Sequence, residues 1–167
     1  MQKASKPRSG WGYVIFFLFA SSVVVADQLS KTWIRSNLVV GQSLPEAGFF
    51  RITHVQNTGA AFGLFPDQAF TLTIVSLVSL LALLVYALFI HHRLPFPHSR
   101  LGWFTLGLVL GGIVGNLTDR LRSGYVTDFI DVGIWPAFNL ADSALVVGVI
   151  ILAYSLLSLA RERDGQP

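Results

Sequence analysis

The chain alternates long apolar segments with shorter polar ones. Four segments contain no Asp, Glu, Lys or Arg and are at least 18 residues long: 9–26, 68–90, 101–118 and 143–160. A helix that crosses the hydrocarbon of a bilayer needs roughly 17–25 apolar residues. The pattern therefore predicts four membrane-spanning helices. Because proline favours the first turn of a helix, Pro136 moves the expected start of the fourth helix back, so that it covers about 138–160.

The composition is typical of a membrane protein. The 167 residues are 53% hydrophobic and 13% charged, which is too apolar for an ordinary soluble domain, and the mean hydropathy is +0.60. The length suits a single integral membrane domain, residues 1–167. The sequence has no cysteine, which excludes disulfides, thiolate catalysis and Cys-based metal sites. The net charge of +3 is modest and its basic residues fall outside the spans, so we expect no nucleic-acid partner.

The positions of lysine and arginine predict the orientation of the spans. The segments on one side carry Lys3, Lys6, Arg8, Arg93, Arg100, Arg161 and Arg163. That side should be the cytoplasm, which leaves both termini cytoplasmic and places Asp128 and Asp142 on the outer side. The first apolar run could instead be a cleaved signal peptide, although Val24-Val-Ala26 is a poor cleavage site.

The long segment between the first two spans, about residues 32–67, faces outward in this topology. Residues 50–53 alternate apolar and polar side chains, which predicts a short strand. Asn57-Thr-Gly59 predicts a turn, whose amide groups could also bind an extended peptide. The predicted fold class is an all-α membrane protein of four transmembrane helices with a small β-sheet on its outer face.

Glycine recurs every four residues in the third span, at Gly107, Gly111 and Gly115. Residues four apart lie on one face of a helix, so these glycines predict a groove in which a neighbouring helix packs closely. Close packing there would fix the position of residues 116–120 at the end of the span.

Two pairs of polar residues stand four apart at span ends. Asn116 and Arg120 share a helix face, with Asp119 adjoining. Arg120 could hold a carbonyl or carboxylate group of a substrate, or it could simply pair with Asp119. Asp27 and Lys31 favour a structural ion pair at the outward end of the first span, and the alternative is a contact of Lys31 with lipid headgroups.

Two aspartates carry the candidate chemistry. Asp128 precedes the last span and Asp142 lies at its head, and a carboxylate at a bilayer boundary is costly enough to indicate a function. Two carboxyls that converge can share one proton and activate water without a metal. Stabilisation by the helix dipole is the alternative for Asp142, but it leaves Asp128, Asn116 and Asn139 unexplained.

Five motifs, taken together and in order, resemble the lipoprotein signal peptidases, or signal peptidase II. They are Asp27-Gln-Leu-Ser-Lys31, Asn57-Thr-Gly-Ala-Ala-Phe62, Gly115-Asn-Leu-Thr-Asp-Arg120, Val126-Thr-Asp-Phe-Ile130 and Phe138-Asn-Leu-Ala-Asp-Ser143. The resemblance covers nearly the whole chain and implies an aspartic endopeptidase whose catalytic pair is Asp128 and Asp142. It further implies positions that contact substrate or shape the site: Asn57, Gly59, Asn116, Asp119, Arg120 and Asn139, with Asp27 and Lys31 as structural residues.

The resemblance also implies the setting of the reaction. Enzymes of this family act in the bacterial inner membrane and cut the signal peptide from a prolipoprotein just before its diacylglyceryl-modified cysteine. Expected partners are therefore the diacylated prolipoprotein, membrane lipid and an inhibitor of the globomycin type, and no metal or other cofactor is expected. The link between the two aspartates is short for the family. The family's flexible, flap-like geometry over the site is therefore not assured by the resemblance, whereas the chemistry is unaffected.

Two other classes of protein remain as alternatives. The first is a metal-dependent lipid-headgroup transferase, because Asp119, Asp128 and Asp131 partly match the acidic spacing that holds divalent ions in such enzymes. Leu121 follows Asp119-Arg120 where that pattern needs glycine. The second is a small transporter, which would need a charge near the middle of the bilayer; the charge-free runs contain none.

Overall fold

The computed structural model describes residues 9–59, 68–91 and 99–164. Within these ranges the chain forms four long helices and three short strands. The helices are α1 (Ser9–Asn37), α2 (Ala69–Val85, continued by π-helical turns over Tyr86–Ile90), α3 (Arg100–Ser123) and α4 (Leu140–Asp164). Each is long and apolar enough to cross a membrane. The predicted class, a four-helix membrane protein with a small sheet, is confirmed.

Several predicted features lie outside the described residues. They are the basic residues Lys3, Lys6, Arg8 and Arg93, the end of the outer segment at 60–67 and the second half of the Asn57–Phe62 motif.

Helix α1 continues eleven residues beyond the predicted end of the first span at residue 26. The prediction ended the span at the first charge, Asp27, but the charged residues of this helix are four apart and share one face. Asp27 and Lys31 pair with each other at 2.8 Å, and Arg35 pairs with Asp119 of α3 at 3.3 Å. Because these charges are paired inside the protein, they do not end the helix. A helix of membrane-spanning length therefore contains charged residues, although the predicted spans contained none.

Helix α3 packs against both α1 and α4 through its glycines. A Cβ atom on Gly107 would lie 2.7 Å from the carbonyl oxygen of Phe16, and one on Gly111 would lie 2.8 Å from that of Ala20. On the other side, a Cβ on Gly112 would lie 2.5 Å from the carbonyl oxygen of Ala141. The predicted small-residue groove is confirmed, and it receives α1, while Gly112 admits α4.

Apolar residues divide between a core and an outer surface. Phe16, Ala87, Trp103 and Leu106 belong to one buried cluster between α1, α2 and α3. Helix α2 has no buried residue over 69–85, and many large apolar side chains of α1 and α4 are also exposed. An apolar surface of this extent is the one that a membrane helix presents to lipid.

The three strands form one antiparallel sheet in the order β1 (Ser43–Leu44), β2 (Arg51–Asn57) and β3 (Val126–Asp131). Strand β2 covers most of the predicted 50–53 segment and extends beyond it to Asn57. Strand β3 was not predicted. The sheet packs on the end of α1, where Phe129 joins Ile34 and Leu38 in a second buried cluster.

The start of α4 differs from the prediction. The helix begins at Leu140, so Pro136 precedes it and is not a first-turn residue. Phe138 instead bridges to Ile130 of β3 through main-chain hydrogen bonds. This bridge ties the chain just before α4 to the strand that carries Asp128.

Candidate active site

Asp128 lies in the middle of β3, opposite Val55 of β2, and only 2% of its surface is exposed. Both carboxyl oxygens accept hydrogen bonds from asparagine amides. Asn57 Nδ2 donates to Oδ2 at 2.8 Å, and Asn139 Nδ2 donates to Oδ1 at 2.7 Å. The carboxyl group is therefore buried but hydrogen-bonded, which is the condition for placing a polar group in a protein interior.

Asp142 lies in the first turn of α4 and forms a reciprocal cap with Asn139. The main-chain N–H of Asp142 donates to Asn139 Oδ1 at 2.9 Å, and the main-chain N–H of Asn139 donates to Asp142 Oδ2 at 3.3 Å. This is the geometry of a capping box, which satisfies main-chain donors at a helix start. The helix-start interpretation of Asp142 is thus confirmed, and the same carboxyl group also reaches the polar cluster around Asp128.

Asn116 of α3 completes this cluster. Its Nδ2 donates to Asp142 Oδ1 at 2.7 Å, and its Oδ1 accepts a hydrogen bond from Asn139 Nδ2 at 3.1 Å. Three asparagines from three separate elements, Asn57, Asn116 and Asn139, therefore surround the two aspartates. The structure brings together five of the residues that the sequence singled out.

The two carboxyl groups influence each other electrostatically. Burial, together with the nearby carboxylate of Asp142, raises the pKa of Asp128 to about 7. Removing a carboxylate from water disfavours its charge, and a second negative charge adds to that cost. Asp128 therefore keeps its proton at pH values where an exposed aspartate has lost it.

A second polar cluster lies behind the aspartates, on α1 and α3. Lys31 is completely buried, and its Nζ contacts Asp27 Oδ2 at 2.8 Å, Asn116 Oδ1 at 2.9 Å and Asp119 Oδ2 at 3.3 Å. The predicted Asp27–Lys31 pair is confirmed, whereas a contact of Lys31 with lipid headgroups is wrong because the ammonium group is inside the protein. Asp119 pairs with Lys31 and Arg35, so the proposed Asp119–Arg120 ion pair is not formed.

Sequence reasoning missed three members of this second cluster. Gln28 Nε2 donates to Asp119 Oδ1 at 3.2 Å, Arg35 Nη1 donates to Thr127 Oγ1 at 3.1 Å, and the main-chain N–H of Thr127 donates to Asp119 Oδ2 at 3.0 Å. The recurrence of charge at positions 27, 31 and 35 was the available signal for Arg35. Thr127 links this cluster to β3, next to Asp128.

Gly59 and Arg120 lie at the edge of the site. Asn57 Oδ1 accepts a hydrogen bond from the main-chain N–H of Gly59 at 2.9 Å, which confirms the predicted turn. Arg120 Nη2 donates to the Gly59 carbonyl oxygen at 3.3 Å. Arg120 is only partly buried, so its guanidinium group keeps further donors for another ligand.

Comparison with known proteins identifies the family of the chain. Residues 19–158 match the profile of the family described as signal peptidase (SPase) II. The chain belongs to the signal peptidase II family. Curated relatives named lipoprotein signal peptidase include one from Dehalococcoides mccartyi, 51% identical over 82% of this chain and 85% of the relative. Another, from Moorella thermoacetica, is 48% identical over 91% of this chain and 99% of the relative.

Two solved structures, both described as bacterial membrane enzymes, resemble this signal peptidase II chain. One has a TM-score of 0.80 and 29% identity and covers 99% of each chain. The other has a TM-score of 0.71 and 33% identity and covers 84% of this chain and 90% of the other. The protein is therefore a multi-pass membrane member of a protease family.

Two grooves in this signal peptidase II fold adjoin the polar cluster around the aspartates. One, of about 670 Å³, is lined by Trp135, Phe138 and one face of α4, and includes Asp142. The other, of about 460 Å³, lies between α2 and α3 and includes Asn116 and Arg120. Each groove therefore joins lipid-facing helix surface to the polar cluster.

The acids of the transferase alternative do not act as one group. Asp119 is bound by Lys31 and Arg35, and Asp131 pairs with Arg51 at 2.5 Å. Only Asp128 of the three aspartates contacts the asparagine cluster.

Proposed function

We propose that this chain is an aspartic endopeptidase that removes the signal peptide from diacylglyceryl-modified prolipoproteins and cuts just before the modified cysteine. The observation that carries the proposal is the contact of one residue, Asn139, with both Asp128 and Asp142. A pair of carboxyls that share one neighbourhood is the unit that aspartic proteases use to activate water. Membership in the signal peptidase II family supplies the substrate class.

The chemistry follows from the sharing of one proton by two carboxyls. Both cannot ionise cheaply, so one is a carboxylate and the other a carboxylic acid. The carboxylate takes a proton from a water molecule as the water oxygen attacks the peptide carbonyl carbon. The carboxylic acid donates a hydrogen bond to the carbonyl oxygen, on which negative charge develops. Collapse of the tetrahedral intermediate breaks the C–N bond, and the amine leaves with a proton from the pair.

Residues around the pair would position the substrate. Asn57, Gly59 and Arg120 form one edge of the site and suit an extended peptide, because they combine amide, main-chain and guanidinium groups. The two grooves suit the other parts of the substrate, which are the signal helix and two acyl chains. Asn116 and Asn139, together with the Nδ2 of Asn57, contact the aspartates themselves and would hold them in place. We expect globomycin-type inhibitors to compete for this site.

The proposed topology follows from the placement of the basic residues. Both termini would be cytoplasmic in the bacterial inner membrane, and the aspartates would face the outside, where the modified cysteine leaves the bilayer. The whole chain, residues 1–167, would act as one integral domain.

Mass spectrometry can test the proposal directly. The purified protein is incubated with a diacylated prolipoprotein and, separately, with the same protein lacking the diacylglyceryl group. We expect only the diacylated form to lose the mass of its signal peptide, with the new N-terminus at the modified cysteine. Cleavage at another position, cleavage of both forms alike, or no cleavage would contradict the proposal.

A further inference from the structure

The buried ammonium group of Lys31 contacts the active-site cluster at one atom, Asn116 Oδ1. An ammonium group has only donors, so the atom that faces it must be the amide oxygen and not the nitrogen. Asn139 Nδ2, also a donor, contacts the same oxygen. The amide of Asn116 therefore has a single permitted orientation, in which its Nδ2 donates to Asp142 Oδ1 at 2.7 Å.

We propose that Lys31 is a positioning residue of the reaction: through Asn116 it keeps Asp142 ionised, so that Asp142 is the proton acceptor and Asp128 holds the shared proton. This assignment rests on the proposed function. It concerns a residue that does not touch the substrate, and it distinguishes two carboxyls that the mechanism alone leaves equivalent.

The surroundings of the two carboxyls differ in the direction that the proposal needs. Asp142 accepts hydrogen bonds from Asn116 Nδ2 and from the main-chain N–H of Asn139, and it lies in the first turn of α4, where the helix dipole favours negative charge. Asp128 also accepts two hydrogen bonds, from Asn57 and Asn139, but it lies on a strand, outside a helix dipole, and is 2% exposed. The Lys31 cation acts on both carboxyls, but the path to Asp142 is shorter. One amide, that of Asn116, contacts both Lys31 and Asp142, whereas two amides, those of Asn116 and Asn139, lie between Lys31 and Asp128.

Several charged groups act on Asp142. They are Lys31 and Asp27 on α1, Arg120 on α3 and Asp128 on β3, with Asp119 beside Lys31. Of the two cations among these groups, Lys31 is the one that contacts an amide donating to Asp142.

The dependence of kcat on pH can test the proposal. The purified full chain is assayed in detergent with a synthetic diacylglyceryl-modified peptide that spans the cleavage site. Without the Lys31 cation, the carboxylate form of Asp142 is less favoured. Lys31→Gln should therefore move the acidic limb of the profile up by about one pH unit, which is about a tenfold loss on that limb, and the loss should shrink as the pH rises.

Arg35→Gln is the matched control. Arg35 also pairs with Asp119, but it has no contact with Asn116, so the acidic limb should stay in place whatever happens to stability. If Lys31→Gln lost activity equally at every pH while remaining folded, or if Arg35→Gln moved the limb as far, Lys31 would be a structural residue only.

A second variant covers the case in which Lys31→Gln does not fold. Asn116→Leu leaves Lys31 with both of its carboxylate partners, Asp27 and Asp119. It removes the donor to Asp142 together with the amide oxygen that contacts Lys31 and Asn139. It should move the acidic limb in the same direction, and an unmoved limb would overturn the proposal. The unmodified protein is measured in the same series. If it fails to cut the peptide, the proposed function fails. If it cuts the peptide normally and the acidic limbs of the two variants do not move, only the role of Lys31 is contradicted.

Discussion

Asn139 Nδ2 donates a hydrogen bond to Asp128 Oδ1 at 2.7 Å, across eleven residues of chain. Asn139 is also the residue that caps α4, because its Oδ1 accepts the main-chain N–H of Asp142. The start of a membrane helix and the centre of the candidate active site are therefore built on the same side chain.

The first prediction concerns the carboxyl pair. Asp128→Asn and Asp142→Asn are nearly isosteric, and each removes one half of a unit that shares a proton. Either change should lower kcat by a factor on the order of 10³ or more, which corresponds to ~4 kcal/mol of transition-state stabilisation, and the double change should add little. The measurement is single-turnover cleavage of a diacylated prolipoprotein.

Asp131→Asn is the control for this pair. Asp131 lies on the same strand but binds Arg51 and the main-chain N–H of Gly133, away from the asparagine cluster. It should remain active. Substantial cleavage by Asp128→Asn or Asp142→Asn, with normal levels in the membrane, would rule out the pair.

The second prediction concerns the pH dependence of stability. Burial and the proximity of Asp142 raise the pKa of Asp128 from 3.8 to about 7. Between these values the folded protein binds more protons than the unfolded chain, so stability should fall as the pH rises from about 4 to 7. Asp128→Asn cannot ionise and should flatten this part of the curve. Thermal unfolding in detergent at a series of pH values provides the measurement, and identical slopes for both proteins would contradict the prediction.

Cleavage should survive chelation. The proposed mechanism activates water with carboxyls, and the sequence has no cysteine to bind a metal. His54, on β2, places its Nδ1 2.9 Å from the carbonyl oxygen of Leu38 and not in the asparagine cluster. Activity is measured before and after dialysis against EDTA. Loss of cleavage that added Mg²⁺ or Mn²⁺ restores would favour the metal-dependent alternative.

Arg120→Ala should reduce turnover more than stability. The guanidinium group donates to the carbonyl oxygen of Gly59 at the edge of the site, and no ion pair with Asp119 depends on it. Arg122→Ala is the matched control, since Arg122 is exposed at the end of the same helix and should tolerate the change. Parallel losses of folded protein and activity in Arg120→Ala would indicate a structural role.

Reporter fusions test the topology. A reporter attached after Pro167 should read out as cytoplasmic, and one inserted near Gly41 should read out as external. Gly41 lies in an exposed turn before β1, where an insertion meets no packed side chain. The reverse result would place both aspartates in the cytoplasm and remove the argument for an exported substrate.

The helices and the glycine groove could be predicted because their signals are local. An apolar run of membrane length and a four-residue glycine repeat need no knowledge of distant residues. The end of α1 could not be predicted in this way, since the charge of Lys31 is tolerated inside a helix because Asp119 and Asn116 lie opposite it, and Asp27 in turn pairs with Lys31. A rule that ends a span at the first charged residue takes no account of the residues, distant in sequence, that pair with that charge.

The site residues could be named, but their contacts could not. Strand β3 has six residues, most of them buried, so it lacks the alternation of apolar and polar side chains that marks a half-buried strand. The start of α4 was misplaced because Pro136 was given more weight than Asn139 and Asp142, whose three-residue spacing is that of a capping box. Recognising that box would have placed Asn139 beside Asp142 from sequence alone.

Gly115 of α3 lies close to both α1 and α4: a Cβ atom there would be 2.8 Å from Asp27 Oδ2 and 3.0 Å from the Cβ of Ala141. A membrane helix that is longer than the local bilayer is thick can adjust by tilting. Tilting displaces atoms in proportion to their distance from the pivot, and this crossing is the natural pivot for α1, α3 and α4. Asp142 is one residue beyond it. The far ends of the helices can therefore follow changes in lipid chain length while the carboxyl pair keeps its geometry.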